Sequence, residues 1–120
     1  MSENYTPCVY LAGPLSGIDA CTYLQNVNRF VVVDRQLRAL GFAVYDPALD
    51  LIVGIYDGEM GYEDFFDSNV AWVGRSDALL RIPGPSAGAD REVERAEELL
   101  IPVFAEVYDL CAYFDVKVSA

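Results

Sequence analysis

Histidine is absent from the 120 residues, which removes the commonest general base and the Ser-His route to an activated nucleophile. Any acid–base or covalent chemistry falls to carboxylates, Tyr, Ser, Cys or Lys. Basic residues are scarce as well: Lys and Arg number 8 against 19 Asp and Glu, for a formal charge of -11. No basic stripe exists to neutralise a phosphate backbone and release its counterions, so a nucleic acid polymer and an anionic membrane are poor partners. A single nucleotide is not excluded, because backbone amides at a helix start hold one phosphate without net positive charge. Cys8, Cys21 and Cys111 are odd in number, widely separated and without the paired spacing of a zinc site. Neither a disulfide framework nor a metal centre is expected, and no other cofactor is called for. No apolar run approaches the roughly eighteen residues of a membrane span, and the first residues do not read as a secretory signal. The expectation is a soluble, cytoplasmic protein with reduced thiols.

What the chain does contain is apolar mass: 53% of its residues are hydrophobic and 12% aromatic, enough to bury the core of one domain over residues 1–120. Residues 8–12 form a short apolar run that breaks at Gly13-Pro14-Leu15-Ser16-Gly17, the pattern of a buried strand entering a loop. From Tyr23 the period changes. Tyr23, Val27, Phe30, Val33, Leu37 and Leu40 recur at three- and four-residue steps, and Gly41 is placed as a helix stop. A second strand is expected over 42–45, closed by Asp46-Pro47. Residues 48–61 have no clear period and read as a long loop, either a binding loop or an irregular crossover.

Phe66, Val70 and Val73 mark the inward stripe of a helix ending near Gly74, and a third strand is expected over 78–82. Pro83-Gly84-Pro85-Ser86-Ala87-Gly88 breaks the chain before a helix over about 89–99, with Val93, Ala96, Leu99 and Leu100 inward. A fourth strand is expected over 101–104. The tail, 106–118, fits either a helix or a helix followed by a short strand. Strands alternating with helices predict an α/β fold of three layers, α/β/α, with a mainly parallel sheet of four to five strands.

In such a sheet ligands bind beyond the carboxyl ends of the strands, where the strand order reverses. The two loops at 13–17 and 83–88 leave strand ends of that kind, and each is either a plain strand-to-helix turn or an opening toward a helix whose free amides can accept an anion. Neither has the dinucleotide fingerprint or the P-loop lysine. Glu92 is expected in the first turn of the helix after the second loop, and steps of four and three place it on one stripe with Ala96 and Leu99. Two roles fit it: a charge favoured by the positive helix end, or a partly desolvated carboxylate able to attack an electron-poor sugar carbon. Glu94, Glu97 and Glu98 read as solvated charges.

Several segments together resemble the nucleoside 2-deoxyribosyltransferase family and its relatives that hydrolyse nucleoside 5'-monophosphates, including small phage and bacterial members. They are Val9-Tyr10-Leu11-Ala12-Gly13-Pro14, Asn26-Val27-Asn28-Arg29-Phe30, Asp46-Pro47, Ser76-Asp77-Ala78-Leu79 and Ser86-Ala87-Gly88-Ala89-Asp90-Arg91-Glu92. The resemblance implies a Rossmann-like sheet and cleavage of an N-glycosidic bond, with transfer to water or to another base. It implies Glu92 as the nucleophile, six residues after Ser86 and four after Gly88, and Tyr10 beside it. By the same resemblance Gly13, Ser16, Gly17, Asp46, Asn69, Ser86 and Gly88 contact the substrate, Ser16 and Gly17 at its 5' end. Transferases acting on free nucleosides tend to have Asp where this chain has Ser86. A hydroxyl donates to phosphate and a carboxylate repels it, so a nucleotide with water as acceptor is the expected substrate pair.

One departure stands out. The family usually has an Asp eight residues before the aspartate that precedes the third strand, and that position here is Asn69. Asp67 does not replace it, since two residues on a helix point about 200° apart. A nucleotide-binding module without turnover is therefore the alternative expectation. The family also implies a working unit of at least two chains, and Tyr108, Tyr113 and Phe114 are the aromatic candidates for that interface.

Overall fold

The computed structural model describes residues 5–15, 19–49 and 62–117. In chain order the elements are β1 (Cys8–Ala12), α1 (Ala20–Ala39), β2 (Ala43–Tyr45), a 3-10 turn (Pro47–Leu49) and α2 (Tyr62–Gly74). They continue as β3 (Ala78–Arg81), α3 (Ala87–Glu98), β4 (Val103–Phe104) and α4 (Val107–Tyr113). The strands form one four-stranded sheet in the order β2-β1-β3-β4, and every pairing is parallel. The α/β fold expected from the alternation of periods is the fold observed. Because the chain steps from β1 to β2 on one side and then crosses to β3 on the other, the order reverses between β1 and β3. That is where ligands collect in open sheets of this type.

Alternation along the strands divides the core in two. Val9, Leu11, Ala78 and Leu80 face α1 and α4, where they meet Phe30, Leu37, Leu110 and Cys111. Tyr10, Ala12 and Leu79 face the other way, onto Val73 of α2 and onto Ala89 and Ala96 of α3. The inward stripe of α1 is the expected one, but the helix begins three residues before Tyr23. Asp19 caps it by accepting the Thr22 amide at 2.7 Å, and Gly41 follows its end at φ 98°.

Other expectations shift at their edges. The helix expected from 89 begins at Ala87 with Ser86 as its cap, so Glu92 lies in the second turn rather than the first. Leu99 and Leu100 do not point inward. The helix ends at Glu98, Leu100 takes φ 60°, and the turn back toward β4 leaves Leu100 90% exposed. Through residue 117 the tail is a short helix with no strand after it. Phe114 packs edge-on against Phe42, with ring centroids 5.9 Å apart, and so belongs to the core. Tyr108 and Tyr113 are exposed. Most of the expected 48–61 loop lies outside the described residues, as do Ser16 and Gly17. Among the described residues no helix is long and apolar enough to cross a membrane.

Candidate active site

The two glycine-containing loops leave the adjacent strands β1 and β3 and meet at the carboxyl end of the sheet. A Cβ on Gly13 would stand 2.8 Å from Ile82 Cβ and 3.3 Å from Phe30 Cε1. Gly13 is thus required by the close approach of the first loop to the end of β3. Gly84, at φ 124°, lies against Pro14, 2.9 Å from its Cγ to where a Cβ would be. Side chains fasten both loops from outside. Asn26 of α1 donates through Nδ2 to Leu15 O at 3.4 Å, and Arg29, one turn on, donates to the Pro83 carbonyl. Arg81 donates to Gly84 O at 2.9 Å and pairs with Asp90 of α3 at 3.0 Å. The motif 26–30 therefore supplies one anchor to each loop, a role that its spacing alone did not disclose.

The second loop ends on Ser86, whose Oγ accepts the Ala89 amide at 3.1 Å. An N-cap of this kind satisfies one orphan amide at the helix start. It uses only a lone pair of the hydroxyl, which keeps its hydrogen for donation to an anion. Gly88 lies in the first turn of the same helix.

About one turn beyond Gly88, Glu92 is buried, 7% exposed, and its Oε2 accepts the Tyr10 hydroxyl. The expected pair is thus in contact across 82 residues of sequence. Tyr10 reaches it because β1 alternation turns residue 10 toward α3, on the face opposite Val9 and Leu11. The Tyr10 ring stacks on Tyr45, with centroids 5.3 Å apart and planes 11° from parallel. Tyr45 in turn stacks on Trp72 at 5.4 Å and donates its hydroxyl to Asn69 Oδ1 at 3.1 Å. Asn69 is buried, and Asp67 two residues away is exposed, so the aspartate does not take its place.

Tyr45 and Trp72 were not among the expected site residues. Trp72 is three residues from Asn69 on one helix, a stripe relation that was readable. Tyr45 was hidden, because only the parallel register Tyr10↔Tyr45 sets its side chain beside Tyr10.

Asp46 goes elsewhere. Its carboxylate accepts the Ala48 amide at 2.9 Å. Burial and a hydrogen bond with Asp34 of α1 push its pKa up to about 6, against the lowering effects of the Ala48 amide and Arg38. These partners are on the α1 side, and none belongs to the Glu92 cluster. Among the described residues no group of three or more His, Cys, Asp or Glu is placed to hold a metal ion.

The family described as a domain of unknown function, DUF4406, matches residues 7–105, from the start of β1 to just past β4. The chain belongs to the DUF4406 family. No curated protein matches it. Among solved structures, this DUF4406 chain is similar to a 2-deoxyribosyltransferase from the psychrotolerant bacterium Bacillus psychrosaccharolyticus, described as a biocatalyst for the synthesis of nucleosides. The TM-score is 0.61 at 18% identity, over 83% of the DUF4406 chain and 75% of the other. At that identity the likeness is one of fold.

Proposed function

We propose that this protein cleaves the N-glycosidic bond of a nucleoside 5'-monophosphate or nucleoside, with Glu92 as nucleophile and water or a second base as acceptor. The observation that carries the reading is the buried Tyr10–Glu92 pair beside two loops at the reversal point of the sheet. The likeness in fold to a 2-deoxyribosyltransferase supports it. A Glu92 carboxylate oxygen attacks C1' of the sugar, the C1'–N bond breaks, and the base leaves with the electron pair and takes a proton from water. Water, or an N–H nitrogen of a second base, then attacks C1' and gives up its proton to the hydroxide left by the first step. The ester bond to Glu92 breaks, and the carboxylate is restored. Tyr10 orients the carboxylate through Oε2. Ser86 and the amides of the first α3 turn, Gly88 included, hold the 5'-phosphate, while Gly13 lets the first loop close on the second.

The test is a panel of nucleosides and their monophosphates, incubated with and without a second free base, with release of free base followed by chromatography. Release that survives Glu92→Gln unchanged would remove Glu92 from the mechanism. A second reading, a nucleotide-binding module without turnover, is favoured by one residue, Asn69, where an acid is expected. Activity appearing only in Asn69→Asp, from an inert wild type, supports that reading. The working unit is proposed to be at least a dimer, with Tyr108 and Tyr113, 73% and 61% exposed, at the contact. A fully active 13.3 kDa species in light scattering would contradict it.

A further inference from the structure

Tyr45 is held at two points by a single helix. Trp72 stacks on its ring with planes 22° from parallel, and Asn69, three residues earlier on α2, accepts its hydroxyl at 3.1 Å. The Tyr10 ring stacks on Tyr45 as well, because the parallel register sets residues 10 and 45 side by side on one face. Stacking alone would be met equally by Phe at position 45. The hydroxyl adds a directional bond to a buried amide, and such a bond fixes where the ring lies rather than only filling space. The orientation of the Tyr10 ring determines where its own hydroxyl meets Glu92 Oε2. The order Asn69, Tyr45, Tyr10, Glu92 is therefore a continuous series of contacts from α2 through two strands to α3.

We propose that Tyr45 is a positioning residue which, anchored by Asn69, sets the Tyr10–Glu92 pair; this rests on the reading of Glu92 as the attacking carboxylate. Asn69 then has a defined task that needs no acidic proton: its Oδ1 receives the Tyr45 hydroxyl. Asp at that position would keep an acceptor for Tyr45, and Leu would remove it.

The experiment is kinetic, on the full chain, with whichever substrate of the panel the wild type turns over. Tyr45→Phe keeps the stack and loses the bond to Asn69. It is expected to lower kcat by roughly tenfold to a hundredfold, the scale of a small misplacement at a reacting group. KM is expected to stay within about twofold, since binding contacts are untouched. The acidic limb of the pH profile should move, which loss of fold stability alone would not produce. Asn69→Leu removes the same bond from the helix side and should reproduce that profile, and Asn69→Asp should restore it toward wild type. Combining Tyr45→Phe with Tyr10→Phe should cost no more than Tyr10→Phe alone, because the first acts through the second. Wild-type kcat and pH profile in Tyr45→Phe, or losses that multiply in the double variant, would overturn the proposal.

A wild type inert on the whole panel sinks the functional reading and leaves this one decidable by a second measurement. The Glu92 carboxyl carbon is followed by NMR titration, assigned by its disappearance in Glu92→Gln. A midpoint displaced in Tyr45→Phe keeps the positioning role, and an identical midpoint removes it.

Discussion

Two carboxylates are buried among the described residues, Asp46 and Glu92, and they lie on opposite faces of the same sheet. Asp46 faces a second acid, Asp34, which is itself paired with Arg38. Arg38 also reaches the Val44 carbonyl at 3.2 Å. Glu92 faces the neutral hydroxyl of Tyr10, backed by two further aromatic rings. An acid against an acid needs a shared proton, and its energetic effect is felt in folding. An acid against a hydroxyl keeps its oxygen atoms oriented without one, and lies beside loops whose amides can receive an anion. Burial is therefore common to both carboxylates, and the group each one faces is what separates them.

The sharpest way to break the contrast is Glu92→Gln. The carboxamide has similar size and little nucleophilicity, so turnover should fall by at least about three powers of ten, with the circular dichroism spectrum unchanged. Turnover near wild type would leave the two carboxylates functionally alike. Tyr10→Phe should cost about a hundredfold in kcat, the scale of a misplaced reacting group. A loss seen only in KM would instead make Tyr10 a binding residue. Ser86→Asp retains a cap for α3, since Asp is as good an N-cap as Ser, but sets a negative charge where phosphate is proposed to bind. The ratio of kcat/KM for a monophosphate over its nucleoside should drop by roughly tenfold, the equivalent of about 1.4 kcal/mol. Equal use of both substrates by the wild type would remove the phosphate assignment.

The smallest expected effect is on the other side of the sheet. The pKa of Asp46 is raised from 3.8 to about 6, so the folded protein holds this proton more tightly than the unfolded chain. The resulting stabilisation is complete below 3.8 and is lost as pH rises through about 6. Asp46→Asn keeps an oxygen for the Ala48 amide and offers Asp34 a permanent donor. Its thermal midpoint should exceed the wild-type value near about pH 7.5, and the advantage should shrink as pH falls through about 6 and be smallest below 3.8. A difference independent of pH would mean that Asp46 does not share its proton with Asp34.

Much of the fold was legible because hydrophobic period is a local property. Apolar runs at 8–12 and 78–82, the helical steps from Tyr23 to Leu40 and the glycine-rich breaks are written in adjacent residues. Ends were less legible. The cap at Ser86 competes with the proline-rich segment before it, and Leu100 reads as core until its positive φ turns it outward. Within the site, Glu92 was singled out by its place after the second loop, and Ser86 and Tyr10 by the resemblance of their segments.

The local pattern of residues is enough to show that strands and helices alternate, that two loops follow the central strands, and that any acid–base chemistry falls to groups other than histidine. Tertiary structure alone decided which buried carboxylate meets a hydroxyl and which meets an acid. It alone brought Tyr45 beside Tyr10 and turned Asn26 and Arg29 into anchors for two separate loops. The physical reason is that strand register and crossover order are set by long-range burial on both faces of the sheet, and no local pattern around residues 10, 45, 69 and 92 contains that information.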